Sequence, residues 1–568
     1  MIIWRINVHN RTGSKEPVPE HYEMLGGRGL IDQIALEEIP AACDPLNDPN
    51  SKLIFAPGLL VGHMLSSCDR LSLGGKSPLT GGIKESNSGG TTGMQIASLG
   101  IKAIIIEGLP ADNRWWIIKV SKDSIEFLPA ENLLGKGIYE SAIELQATFG
   151  KKAAISVIGP GGEMQLLVAG IANLDKDSMP TRINARGGMG AVMGSKHIKA
   201  IVFDPQGGSK PPLVDPVAFK SAQKEYTDSL MAQPQTATYR DFGTAGIALM
   251  CNSMGALPTF GFSSGQFSMV EDISGENLHH LLTTRGGAAN PSHACMPGCT
   301  IRCSNHMVDK DGVSLVSPLE YETIGLMGSN LGIGSLDLIA KLNWIVNDLG
   351  LDSIDMGAAL GVCAQASLME FGDAEQAEKL LLEIYTGSER GRILGCGAAA
   401  TGGYYGIERV PVVKKQAISA YDPRAVKGTG VTYATSPMGA DHTAGLTIRA
   451  KIDHLDPLIQ KQVSLNAQIN MAGYDTLGAC IFAGSGFAAA PEVISKLLNA
   501  RYGWTVGQSI LQDLGRTTLR MELQFNRQAG FTRDDDRLPG WMTREGLPPT
   551  QAVFDVPSTE LDSIFDNL

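Results

Sequence analysis

At 568 residues with 43% apolar side chains, the chain has material for three or four domains with large buried cores, which excludes a disordered or peptide-like protein. Its 47 Lys and Arg against 59 Asp and Glu leave a net charge of −12, which argues against nucleic acid or an anionic lipid surface as the main partner. No stretch reaches the roughly 18 to 20 uncharged apolar residues of a membrane helix, the start has no apolar leader, and nine cysteines with one clustered set suit a reducing compartment. The expectation is a cytoplasmic protein with no membrane partner.

Short β-type runs bounded by Gly and Pro predict strands at Leu53–Phe55, Ala103–Ile106, Trp115–Ile118, Ala154–Ile158 and Ala200–Phe203, hence a β-rich first domain over 1–206. Glycine-rich strings punctuate it. They are Gly26-Gly27-Arg28-Gly29-Leu30, Ser67-Cys68-Asp69-Arg70 running on to Thr80-Gly81, Asn87-Ser88-Gly89-Gly90, and Arg182-Ile183-Asn184-Ala185-Arg186-Gly187-Gly188 running on to Lys196. Glycine lets backbone N–H groups approach phosphate oxygens, and Arg adds a planar two-pronged donor. Turn glycines of a β domain are the plainer reading of any single string, and none is a Walker or Rossmann fingerprint.

The polar, proline-rich stretch 205–212 marks a boundary, beyond which the apolar spacing is helical at Leu336–Leu349 and Ala374–Ile384. A softer boundary near Val410–Lys415 gives a second domain over 207–412 and a third over 413–568, helical at Glu492–Leu498 and Val506–Phe525. The fold class expected is α+β, with two mainly helical domains closing over the β-rich one.

Cys295, Cys299 and Cys303 are evenly spaced, and Cys480 follows far downstream. Four thiolates from one tight run and one remote position suit a 4Fe-4S cluster, and zinc would accept the same four ligands. The other five, Cys43, Cys68, Cys251, Cys363 and Cys396, read as small packed hydrophobes. A short internal echo pairs Asn347-Asp348-Leu349-Gly350-Leu351-Asp352 with Asp475-Thr476-Leu477-Gly478-Ala479-Cys480. Two glycine-capped helix ends explain it, as does a pair of exposed tips that grip the polar edge of a flat heterocycle.

Taken with Lys76-Ser-Pro-Leu-Thr-Gly81, Glu320-Tyr321-Glu322 and Tyr421-Asp422-Pro423-Arg424, these strings resemble the tungsten-dependent aldehyde ferredoxin oxidoreductase family, in order and over nearly the whole chain. The resemblance implies an enzyme that oxidises aldehydes to carboxylic acids at a tungsten (or molybdenum) bis-pyranopterin, seated at the domain interface beside one 4Fe-4S cluster. It implies electron transfer to ferredoxin or a ferredoxin-like subunit. By position, Arg70 would bridge pterin and cluster, and Asn87 and Ile183 would offer backbone carbonyls to a magnesium. Gly89, Arg182 and Ala185 would line the phosphates. Asn347, Leu351, Asp352, Asp475 and Ala479 would hold the pterin rings, with Arg186 and Asp441 in the same cofactor-contacting set. Cys295, Cys299, Cys303 and Cys480 would bind the cluster; Glu322 would be the general base, and His442 a hydrogen-bond donor to the reacting oxygen.

Departures from the family pattern stand beside these. The cysteine run is C-x3-C-x3-C where the family usually has C-x2-C-x3-C, so the loop must bulge by a residue, and Asn347 replaces the first motif's usual Asp. Lys341 stands where some members have the glutamate of an iron site between two subunits, which speaks against a metal-bridged homodimer and leaves an oligomer, possibly a hetero-oligomer. Two other readings remain: the catalytic subunit of a complex reducing aromatic thioesters at low potential, and a non-catalytic scaffold with structural zinc.

Overall fold

The computed structural model describes residues 1–568. The first 203 residues form one unit built twice. The first half runs β1 (Ile2–Asn7), β2 (Thr12–Pro17), α1 (Gly27–Glu38), β3 (Leu53–Pro57), β4 (Leu71–Lys76), β5 (Ile83–Ser88), α2 (Thr92–Ser98) and β6 (Ile101–Glu107). The second runs β7 (Trp116–Val120), β8 (Ile125–Pro129), α3 (Ile138–Phe149), β9 (Ala154–Val157), α4 (Pro160–Glu163), β10 (Ile171–Asn173), β11 (Arg182–Asn184), α5 (Met189–Ser195) and β12 (Ile198–Phe203). The sheets have the orders β2-β1-β6-β3-β4-β5 and β8-β7-β12-β9-β10-β11. In both, the first strand pairs parallel with the last and every other pairing is antiparallel.

The sequence explains the layering. Runs such as Ala103–Ile106 are apolar without alternation, the pattern of a strand covered on both faces. Ile104 and Ile106 face a core shared with Ile201 and Phe203 of the other sheet, while Ala103 and Ile105 pack under α1. Ala200 and Val202 pack under α3 in the same way. α1 and α3 therefore cover the outer faces, while Ile96 of α2 and Met189, Val192 and Met193 of α5 join the core between the sheets. Each fully buried Ile contributes about 1.5–3 kcal/mol, enough to fix which face each strand presents. The domain expected to be mostly β thus carries five helices, because strands apolar on both sides need a cover.

Beyond residue 215 the chain is mainly helical. The helices Leu336–Leu349, Ser353–Gln365 and Ala374–Tyr385 lie in the first stretch, and Lys427–Thr435, Gln460–Leu477, Val493–Tyr502 and Ile510–Gln528 in the second. One hydrophobic core of 73 residues, from Leu79 to Ile564, runs through both stretches. A three-stranded sheet, Asn290–His293, Ser304–Val308 and Ser314–Val316, carries the cysteine run between its first two strands. No single helix is long and apolar enough to cross a membrane.

Candidate active site between two half-sheets and two helix tips

The internal echo is a structural repeat. Leu336–Leu349 ends at Gly350 (φ 74°) and Gln460–Leu477 at Gly478 (φ 78°), both left-handed. Leu351 N–H donates to Val346 O and Gly350 N–H to Asn347 O, both at 3.0 Å; Ala479 N–H donates to Tyr474 O at 2.8 Å and Gly478 N–H to Asp475 O at 3.2 Å. This is the same two-bond cap, made twice.

Each tip docks on the matching half-sheet. Arg70 N–H donates to Gly478 O at 3.1 Å, and Gly170 N–H donates to Gly350 O at 2.8 Å. The approach is backbone against backbone: a Cβ on Gly58 would lie 2.0 Å from Gly478 N, and one on Gly159 2.4 Å from Leu349 O. α1 and α3 begin beside the same tips, where Gly29 N–H meets Thr476 Oγ1 at 3.2 Å and Tyr139 N–H meets Asp348 Oδ1 at 3.1 Å. The two halves then diverge in side chains. The Arg70 position is Gly170 in the second half, Asp475 corresponds to Asn347, and Cys480 corresponds to Asp352.

In the first half, Arg70 Nη2 donates to Asn87 O at 2.9 Å and its Nε to Asn87 Oδ1. Asn87 Nδ2 donates to Asp475 Oδ1 at 3.0 Å. Asp475 Oδ2 takes Arg28 Nη1 at 3.2 Å, and Arg28 grips Glu522 through Nε and Nη2 at 2.8 Å each. The Gly26–Leu30 string, an anion-cradle candidate by sequence, opens α1 and places this fully buried arginine. Burial pushes the Asp475 and Glu85 carboxyls above their usual range. Burial would lower the Arg70 guanidinium, but the nearby Cys480 and Cys295 thiols and Asp475 raise it.

In the second half, Arg182 Nη2 donates to Asp175 Oδ2 at 3.0 Å and Nη1 to Ser304 Oγ at 2.9 Å. Arg186 Nε donates to Asp352 Oδ2 at 3.1 Å, while its Nη1 reaches Ser419 Oγ at 3.2 Å and Ala440 O at 2.6 Å. Asp352 also caps its helix, accepting from Ile354 N–H at 3.0 Å. The halves meet where edge strands β5 and β11 lie side by side: Asn184 Nδ2 donates to Ser86 O at 2.6 Å and Ser88 Oγ to Asn184 Oδ1 at 2.9 Å. Gly89, Ile183 and Ala185 line this seam; Asn87 O, one of the two expected magnesium ligands, already accepts from Arg70.

The four cysteines gather on the first half. Gly90 N–H donates to Cys295 O at 2.9 Å and Cys480 N–H to Ser67 O at 2.7 Å. A Cβ on Gly89 would lie 3.0 Å from Cys295 Sγ. In the cysteine run Gly298 (φ 76°) and Arg302 (φ 56°) are left-handed, each immediately before a cysteine. Burial pushes Cys295 up to about 12 and raises Cys303 and Cys480, and each thiol also feels the others. Cys295, Cys303, Cys480, Arg70 and Glu320 nevertheless keep accessible surface. Groups surrounded by protein yet not fully covered face an internal cavity. A surface pocket of about 510 Å³ opens over Cys299 from outside, rimmed by Arg240 and Arg302.

Glu322 and His442 form a second cluster. Glu322 Oε2 accepts from Ala420 N–H at 2.8 Å, and Oε1, buried and without a hydrogen bond, lies 3.3 Å from His442 Nε2. His442 Nδ1 is 3.1 Å from Ser419 Oγ, so Ser419 joins the histidine to Arg186. Asp441 takes fully buried Lys84 at 2.8 Å; although burial opposes it, Lys84 and Arg186 hold this carboxyl far below the usual range. Sequence reasoning missed Lys84, Glu85, Ser419 and the role of Arg28. The signal available was β5 itself, Ile-Lys-Glu-Ser-Asn-Ser, a strand almost wholly buried yet polar. Lys341 lies apart at the surface, paired with Glu378 at 2.7 Å.

Four thiols on one half-sheet, a Glu322–His442 pair, and close glycine-lined approaches of two helix tips to two half-sheets make the build of a redox enzyme that seats a large cofactor between its domains. The family model for the N-terminal domain of aldehyde ferredoxin oxidoreductase matches residues 3–205, and that for its domains 2 and 3 matches residues 221–567. The tungsten-containing aldehyde ferredoxin oxidoreductase of Pyrococcus horikoshii is 31% identical, covering 96% of this chain and 92% of that protein. That of Pyrococcus furiosus is 30% identical over 92% and 88%. The active-site complex BamBC of benzoyl coenzyme A reductase has the same fold, with a TM-score of 0.78 at 17% identity, covering all of this chain and 93% of the other. The chain belongs to the aldehyde ferredoxin oxidoreductase family and is an oxidoreductase.

Proposed function

We propose that the chain oxidises an aldehyde to the carboxylic acid at a tungsten or molybdenum bis-pyranopterin and passes the electrons through a 4Fe-4S cluster to ferredoxin or a ferredoxin-like subunit. The observation that carries this reading is that each half-sheet seats one glycine-capped helix tip, with the four thiols gathered on the first half. The residues present fit such a group. Arg182 Nε, Glu85 Oε1 and Glu322 Oε1 are buried without hydrogen-bond partners, and a Cβ on Gly89 would press on Cys295 Sγ at 3.0 Å.

Asp475 with Ala479, and Asn347 with Leu351 and Asp352, would hold the two pterin rings, while Gly89, Arg182 and Ala185 would take the phosphates. The carbonyls of Asn87 and Ile183 would hold magnesium across the seam. Arg70, whose N–H holds the first tip at Gly478 O, would bridge the ring held there and the cluster. Cys295, Cys299, Cys303 and Cys480 would hold that cluster.

When bound, the metal centre supplies the two-electron step and the cluster a one-electron outlet. Glu322 Oε1 takes the proton of the attacking water, while the Ala420 N–H keeps the carboxylate from turning away. His442, steadied at Nδ1 by Ser419, presents Nε2 to the substrate oxygen; a proton held in place by such a pair is worth typically 10²–10⁴ in rate. Arg186 and Asp441 lock the loop that carries His442. The outlet lies over Cys299, where Arg240 and Arg302 offer positive charge to an acidic electron carrier on a chain of net charge −12.

Aldehyde-dependent reduction of a viologen dye by anaerobically purified holoenzyme tests the reading; none with any aldehyde would refute it. The fold likeness to BamBC supports a second reading, a subunit of a larger complex reducing aromatic thioesters. Thioester reduction without aldehyde oxidation would select it.

A further inference from the structure

We propose that the hydroxyl of Ser67 sets the reduction potential of the group held by Cys299 and Cys480, acting as a positioning residue for electron flow. This rests on the cluster reading above. Ser67 touches two of the four cysteines at once: its Oγ lies 3.4 Å from Cys299 Sγ, and its carbonyl accepts the Cys480 N–H at 2.7 Å. The residue is buried and left-handed at φ 59°, a conformation that non-glycine residues seldom adopt and that persists where the surroundings impose it. Here it aims the hydroxyl at one ligand and the carbonyl at the other.

A metal-bound thiolate carries no proton, so the serine O–H is the donor. Behind it, Ser66 Oγ lies 3.4 Å from Ser67 Oγ and is itself fixed by Thr300, whose N–H is 3.0 Å and Oγ1 2.8 Å away. Thr300 directly follows Cys299, so the hydroxyl chain closes back on the ligand loop. An added electron places negative charge on the ligand sulfurs, and a hydrogen bond to one of them favours the reduced state. Without that bond the potential moves to more negative values, altering the driving force between the cavity and the outlet over Cys299.

The test is a dye-mediated redox titration of anaerobic holoenzyme, followed by the paramagnetic signal of the reduced cluster, for the parent, Ser67→Ala, Ser67→Gly and Ser66→Ala, with iron measured in each. Glycine accepts the left-handed backbone and covers the case in which the alanine protein fails to fold. The expected result is parent iron content in Ser67→Gly with the reduction equilibrium about tenfold less favourable, a midpoint lower by ~59 mV for one electron. Ser66→Ala, which leaves the Ser67–Cys299 contact in place, keeps the parent midpoint. An iron-loaded Ser67→Gly protein with the parent midpoint would overturn the proposal, as would an equal shift in Ser66→Ala. Absence of iron from the parent would instead refute the cluster reading itself.

Discussion

In the proposed reaction, Glu322 would be the base and His442 the donor to the substrate oxygen. Glu322→Gln keeps the Ala420 N–H contact but cannot take a proton, so turnover should fall by about 10²–10⁴ with metal content unchanged. Steady-state rates alongside elemental analysis check this, and parent activity in that variant would remove Glu322 from the reaction. On the cluster reading Cys480→Ala should lose iron, because Cys480 would be the remote fourth ligand that closes the set. An alanine protein that still held about four irons per chain would show that another group is the fourth ligand. All three residues could be named from the sequence through the family resemblance. Their partners could not: Ser419 and Lys84 sit in no recognisable string, and they reach the site only because chain segments far apart in sequence fold together.

At the level of elements, the helix Leu336–Leu349 lies where its apolar spacing placed it, because amphipathic periodicity and a terminal glycine are local properties. The echo of two glycine-capped ends was equally legible, since a left-handed cap needs glycine whatever surrounds it. What each tip docks against was not legible. Gly58 and Gly159 are unremarkable in the sequence, yet each meets the backbone of a tip too closely for any side chain. Gly58→Ala should therefore cost about 1–3 kcal/mol and loosen the Asp475 tip. Thermal unfolding measures it; an unchanged midpoint would mean that the tip is not seated as described. Gly26–Leu30 shows the opposite limit. As a string it resembles an anion cradle, and only the fold shows that Arg28 is spent on Glu522 and Asp475.

At the scale of the whole molecule, the duplication of the first domain explains why one cavity has two similar sides and why they are unequal. The repeat was invisible in the sequence, because the halves share topology rather than side chains: Arg70 faces Gly170, and Cys480 faces Asp352. The join between the second half and the cysteine-bearing sheet has a pH signature. Burial works against the Asp175 carboxylate, but the His293 hydrogen bond at 2.9 Å and the Arg182 charge prevail and hold it at about 2. Because its folded value lies below the unfolded one, the stabilisation is present above about pH 4 and disappears as pH falls toward 2, a loss of about 2.5 kcal/mol. Asp175→Asn should flatten that part of the acid arm in urea titrations, and an unchanged slope would deny the carboxylate this role.

The central claim is that the cavity between the two half-sheets and the two helix tips is the seat of a tungsten or molybdenum pterin with an adjoining iron–sulfur cluster. Elemental and pterin analysis of the protein purified without air tests it most directly. The account predicts about one tungsten or molybdenum and about four irons per chain, with pterin; zinc without any of these would contradict it.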